Sequence, residues 1–114
     1  MERTTEEVLR HHSEALAAGD AAALMKDYAA DAVVMTLEGA NVGTAAIAAF
    51  FAKMQKAMPH ARFSRTGICI KGEVVMTAWR ADSDAGSIPN GVDTIVIRDG
   101  KIRLQTVWFS AAPQ

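Results

Sequence analysis

Residues 16–51 read LAAGDAAALMKDYAADAVVMTLEGANVGTAAIAAFF, and the order of elements within them decides the fold. A helix ends at Ala18-Gly19, and Asp20 opens a second. The second helix runs through Leu24 and Tyr28 and gives way at Ala30-Asp31 to a short β run over 32–35. A third helix starts near Gly43-Thr44, and residues 61–109 read as strands and turns only. Three helices packed into one end of a curled sheet make a cup, a shape suited to holding a small molecule.

Upstream of this stretch the first helix covers 5–17. Thr4 with Glu7 three positions later forms a capping box, each side chain satisfying a free amide at the helix start. Val8, Leu9, His12, Ala15 and Leu16 recur at helical spacing and form its inward stripe. Gly19 suits the left-handed residue after a helix end, and Asp20 the cap of the next helix. In the third helix, 44–57, Ile47, Phe50, Phe51, Met54 and Met58 repeat on one face until Pro59 stops the run. Downstream come strands over 62–70 and 73–81 around a Lys71-Gly72 turn. A polar loop over 82–91 follows, which could also serve as a lid over the cup. Strands over 92–98 and 101–109 then flank Asp99-Gly100, a hairpin signal. Strands joined by short turns pair antiparallel, so the expected class is α+β.

A chain of 114 residues makes one domain, 1–114, with a single core. Net charge is −1, from 12 basic and 13 acidic side chains, with no basic run, which argues against a nucleic-acid partner. Cys69 is the only cysteine and suits a reducing compartment. The charged N-terminus lacks the apolar core of a signal peptide, and no apolar segment approaches the ~20 residues that span a bilayer. The expectation is a soluble cytoplasmic protein with no membrane partner. The histidines, three in number, show no metal-binding spacing. There is no phosphate loop and no serine-nucleophile motif, so neither metal nor cofactor is expected.

The residues 15–20 (Ala-Leu-Ala-Ala-Gly-Asp), 28–34 (Tyr-Ala-Ala-Asp-Ala-Val-Val) and 43–51 (Gly-Thr-Ala-Ala-Ile-Ala-Ala-Phe-Phe), with the closing hairpin around Asp99-Gly100, resemble the nuclear transport factor 2-like superfamily. That superfamily includes SnoaL-like polyketide cyclases, ketosteroid isomerases and limonene epoxide hydrolases. The resemblance implies a curved antiparallel β-sheet wrapped around three N-terminal helices, a cone-shaped barrel with an internal pocket. It also implies a homodimer through the outer sheet face. It is specific for fold and weak for chemistry, because one scaffold hosts unrelated functions.

Asp93 is the sharpest candidate for chemistry. Period two puts it on one face with Ile95 and Ile97, and burial raises a carboxyl pKa. A protonated aspartic acid can donate to a developing oxyanion; the matching aspartic acid of ketosteroid isomerases does this, and implies the role here. The alternative is a strand-end aspartate that solvates the preceding loop. His12, on the apolar stripe of helix one, matches a substrate-binding tyrosine of the isomerases and would serve as donor, acceptor or proton shuttle. Its alternative is a core histidine satisfied by a backbone carbonyl or by Tyr28.

Two positions depart from the isomerase pattern. Thr36 stands where the isomerases carry their aspartate base, and Phe51 where some carry a supporting tyrosine. The water-activating Asp-Arg-Asp set of the epoxide hydrolases is not assembled either. On the last strand alternation puts Arg103, Gln105, Val107 and Phe109 on one face and Ile102, Leu104, Thr106 and Trp108 on the other. The resemblance implies that the first set faces the cup, the alternative being an inverted register with Leu104 and Trp108 in the core. The expected lining is Tyr28, Thr36, Phe51, Trp79, Gln105, Val107 and Phe109.

The leading expectation is a cofactor-independent isomerase- or cyclase-type enzyme acting on a small apolar carbonyl compound, with Asp93 and His12 catalytic. Steroid isomerisation itself is disfavoured by Thr36. The alternatives are a non-catalytic module for a small hydrophobic ligand, or a dimerisation domain.

Overall fold

In the computed structural model, residues 2–112 are described. The outermost positions of the 1–114 domain, residues 1, 113 and 114, lie outside the described residues. The element order is α1 (Thr5–Ala18), α2 (Ala21–Met25), β1 (Tyr28–Thr36), β2 (Gly39–Val42), α3 (Thr44–Ala57), β3 (Arg62–Lys71), β4 (Val74–Ser83), β5 (Gly86–Arg98) and β6 (Lys101–Ala112).

The helix signals operate as local chemistry dictates. Glu7 N donates to Thr4 Oγ1 at 3.1 Å and Thr4 N to Glu7 Oε1 at 2.8 Å, closing the capping box. Gly19 ends α1 at φ 66°, and Asp20 accepts from Ala23 N at 3.0 Å to open α2. The second helix is shorter than its sequence pattern implied. It stops at Met25, and Tyr28 begins β1 instead of closing α2. A five-residue helix gains little by itself, and the alternating apolar residues that follow are better buried as strand.

The sheet has six strands in the order β2-β1-β6-β5-β4-β3, with β2 and β3 at its open edges. It is mixed rather than wholly antiparallel, because β1 runs parallel to β6. This pairing joins segments about seventy positions apart, so no turn chemistry announces it; Val34, for example, pairs with Gln105. The resulting fold is an α+β cone, unclosed along one side.

Bulges rather than a loop shape the second half. The 82–91 stretch, expected to be a polar loop, is strand except at Asp84-Ala85. Pro89 fits inside β5 because the register slips there, relieving it of a ladder bond. A second slip at Arg103 turns Ile102 inward, to full burial, against the outward facing read from strict alternation.

The core lies between the helices and the concave sheet face, where Val8, Leu24, Val34, Ile47, Val75 and Ile102 are all but fully buried. At its base Asp27 is sealed from solvent and holds two other elements. Arg3 Nη1 donates to its carboxylate at 2.7 Å, and His11 Nδ1 lies 2.8 Å away. Arg3 Nη2 also donates to Gly100 O at 3.0 Å, fastening the β5–β6 turn to the start of α1. No helix among the described residues is long and apolar enough to cross a membrane.

Candidate functional site

Strand register sets out the concave face in transverse rows. One row runs Ile68, Thr77, Asp93, Val107. The next toward the rim runs Arg65, Trp79, Gly91, Phe109. The next toward the base runs Ile70, Val75, Ile95, Gln105, Val34. Helices α1 and α3 roof these rows and leave a cavity of about 340 Å³. Its walls include Leu9, His12 and Leu16 from α1, Phe51 and Met54 from α3, and Thr77, Trp79, Asp93, Ile95, Gln105 and Val107 from the sheet. A side branch of about 250 Å³ shares Leu16, Phe51, Met54 and Phe63 with it and continues to Met58 and Ile88.

A continuous hydrogen-bond chain crosses the cavity wall. His12 Nε2 lies 3.0 Å from Tyr28 Oη, which donates to Gln105 Oε1 at 2.5 Å. Gln105 Nε2 donates to Asp93 Oδ2 at 2.8 Å, and Trp79 Nε1 to Asp93 Oδ1 at 3.0 Å. The chain has one self-consistent direction. The carboxylate accepts only, so the Gln105 amide must turn its NH₂ toward Asp93 and its oxygen toward Tyr28. The single Tyr28 proton is then committed to Gln105, so His12 carries its proton on Nε2 and gives it to Tyr28. Its Nδ1 is left as a bare acceptor.

No buried side-chain nitrogen or oxygen among the described residues lacks a partner. Nδ1 makes no hydrogen bond there, so it is the ring edge that the cavity reaches. The same reasoning opens the Thr77 hydroxyl to the cavity directly across the strand pair from Asp93.

Burial governs the charge states. Desolvation pushes the Asp93 carboxyl above its ordinary 3.8, while the hydrogen bonds from Trp79 and Gln105 pull it back down. Desolvation presses His12 down to about 4 from 6.5; the nearby Asp27 charge opposes this and the Arg65 charge adds to it. Tyr28 is raised well above 10.0 by burial first, then by Asp93 and Asp27, so its phenol stays a donor. Near neutral pH His12 is therefore uncharged, and the two N–H donors on Asp93 favour its ionised form.

Of the expected residues, Asp93, His12, Phe51, Trp79, Gln105 and Val107 meet at the cavity. Tyr28 stands behind it, 2% exposed, touching His12 and Gln105 rather than the space. Thr36 lies away from it, at the β1–β2 turn, where its hydroxyl accepts from Glu38 N at 3.1 Å. Phe109 packs on Trp79 with ring centres 6.2 Å apart and stays outside the lining. His12 and Asp93 are not direct partners; Tyr28 and Gln105 stand between them. His12 bonds Tyr28 through Nε2 and also lines the cavity.

Thr77 and Arg65 also line the cavity, outside the expected set. Thr77 was within reach, since period two puts it on the same face as Trp79; Arg65 precedes a bulge between Arg65 and Gly67, and no simple alternation fixes its side. Among the described residues no cluster of three or more histidine, cysteine or acidic side chains is placed to hold a metal ion.

A family model described as a SnoaL-like domain matches residues 9–105. No curated protein matches the chain. Among solved structures, a provisionally assigned polyketide cyclase from Sinorhizobium meliloti is 19% identical with a TM-score of 0.78, over 89% of this chain and 93% of that one. An NTF-2 like protein of unknown function from Burkholderia xenovorans is 22% identical with a TM-score of 0.80, over 96% and 84%. IdmH from Streptomyces antibioticus, also provisionally assigned as a polyketide cyclase, is 16% identical with a TM-score of 0.79, over 95% and 93%. At these identities the likeness speaks for the fold.

Proposed function

The chain belongs to the SnoaL-like domain family, and from that membership we propose a cofactor-independent acid–base enzyme of the cyclase or isomerase type, acting on a small, mainly apolar carbonyl compound. One observation carries the reading: a carboxylate, Asp93, is fixed by two N–H donors inside an open cavity whose walls include Leu9, Leu16, Phe51, Met54, Ile95 and Val107. Such a group is a stronger base than an exposed aspartate, because ionisation there is costly and protonation relieves it.

This reading gives Asp93 the base's part, in place of the protonated donor suggested by the isomerases. The carboxylate takes a proton from the carbon next to a substrate carbonyl. The C–H bonding pair moves into an enolate, whose oxygen accepts from the Thr77 hydroxyl. In an isomerisation the new Asp93 acid returns its proton to a different carbon of the same system. In a cyclisation the enolate carbon attacks a second carbonyl of the same molecule, and the acid protonates the resulting alkoxide. His12 Nδ1 accepts from a substrate hydroxyl and orients it.

The test is α-proton exchange in D₂O, followed by proton NMR over a panel of small ketones and 1,3-dicarbonyl compounds. The expectation is enzyme-dependent exchange that Asp93→Asn reduces by about 10²–10⁴-fold with the fold retained. Exchange that is equal in the variant overturns the reading. Panel members that bind without exchanging favour the second reading, a carrier of hydrophobic ligands. That reading draws on the engagement of both Asp93 oxygens by N–H groups.

We also propose a homodimer through the convex sheet face. Its rows read Cys69, Met76, Thr94, Thr106, Met35, and beside them Val74, Val96, Leu104, Val33, Val42. Lys71, paired with Val74 at the β3 edge, is the charge at the end of the second row, and Met76, Met35, Val74, Val42 and Trp108 are exposed. A contiguous apolar surface of this kind is unusual on a monomer.

A further inference from the structure

Arg65 stands at the mouth of the cup without an anionic partner. Arg3, Arg80, Arg98 and Arg103 each face a carboxylate. Arg65 has none within ion-pairing distance among the described residues; Arg10 and Arg62 share that condition but do not line the cavity. Its one hydrogen bond is a long 3.4 Å contact from Nη2 to Ser13 Oγ, reaching from the sheet edge to α1 across the opening. Ser64 lines the same rim. The flanking groove holds Glu6, Glu14 and Arg10, yet neither glutamate pairs with Arg65. Among the described residues the one carboxylate lining the cup is Asp93, already held by Trp79 and Gln105.

A guanidinium beside hydroxyl donors, with a weak bond that is easily exchanged, is a receptor for oxyanions, a carboxylate or a sulfonate alike. Its fork matches a carboxylate in two parallel bonds. We propose that Arg65, aided by Ser13 and Ser64, anchors an acidic group on the ligand at the mouth of the cup, so that the site selects carbonyl compounds bearing an anion over their neutral counterparts. The inference rests on the proposed use of the cup and specifies its substrate class. The acidic group stays at the rim, and the apolar body reaches inward past Phe51 and Met54 toward Asp93.

Two dyes of nearly equal shape test it. 8-Anilino-1-naphthalenesulfonate carries an anion, and N-phenyl-1-naphthylamine does not. Binding of each is followed by fluorescence in the unaltered protein, in Arg65→Gln and Arg65→Lys, and in Val107→Phe, which fills the cup and identifies the part of each signal that arises there. Arg65 is exposed, so its variants should fold.

The expected result is a roughly tenfold loss of sulfonate affinity in Arg65→Gln, with partial recovery in Arg65→Lys and unchanged binding of the neutral dye. Sulfonate affinity should also fall with added salt. Equal weakening of both dyes, or of neither, overturns the role of Arg65 while leaving the cup a ligand site. Binding of both dyes that is insensitive to Val107→Phe, or no binding at all, removes the ligand cup and this inference together.

Discussion

The buried polar residues set opposite pH dependences. His12 has a folded pKa of about 4 against an ordinary 6.5, so the unfolded chain takes up its proton first as pH falls. Its contribution to stability is present above pH 6.5 and is lost as pH falls toward 4, at up to about 1.4 kcal/mol per pH unit. Asp93 runs the other way. Its folded pKa is raised, so its contribution is present below the ordinary 3.8 and is lost as pH rises through the shifted value. Urea denaturation at pH 4.5 and pH 7 should therefore show His12→Gln losing less stability on acidification than the unaltered protein; an equal loss would place the acid sensitivity elsewhere. Much of this site was readable from the chain. Alternation put Asp93 beside Ile95 and Ile97, and helical spacing put His12 inward. Hidden from that reading was the partner order, because Tyr28 and Gln105 are 77 positions apart and meet only through the parallel strand pair.

At the level of elements, the site depends on where strands depart from regularity. Gly91 lies under the indole of Trp79, and a Cβ there would sit 2.2 Å from Trp79 Cε2. Gly91→Ala must therefore push the ring aside and break its bond to Asp93. The expected cost is roughly 1–3 kcal/mol, with a red shift in tryptophan emission; an unshifted spectrum would mean that the indole has another resting place. Helices were read closely from sequence because caps are local: Thr4, Glu7, Gly19 and Asp20 act within one turn. Strands were read less well. The slip at Arg103 inverts the facing of Ile102, and β2, with four mostly exposed residues, has no apolar alternation to reveal it. Thr36 was assigned to the lining by analogy, whereas the β1–β2 turn that claims its hydroxyl was not foreseen.

Across the whole molecule, the two proposals divide one sheet between them, the concave face for a ligand and the convex face for a second copy. The convex rows place the exposed Met76 on β4, one strand in from the β3 edge, and Met76→Lys should convert the proposed dimer into monomers at micromolar concentration by light scattering. A monomer in the unaltered protein would leave that surface without its proposed partner. The α+β class was legible because the helix patterns end by residue 57 and the long remainder reads as strand alone, but the strand order of the sheet was not. The two parts of the sheet are joined by β6, which lies between β1 and β5 although it follows both in the sequence. Until β6 is in place, the β1–β2 hairpin and the β3–β5 meander each keep one inner edge unsatisfied, so anything that delays this single strand leaves two sticky half-sheets open to wrong pairing.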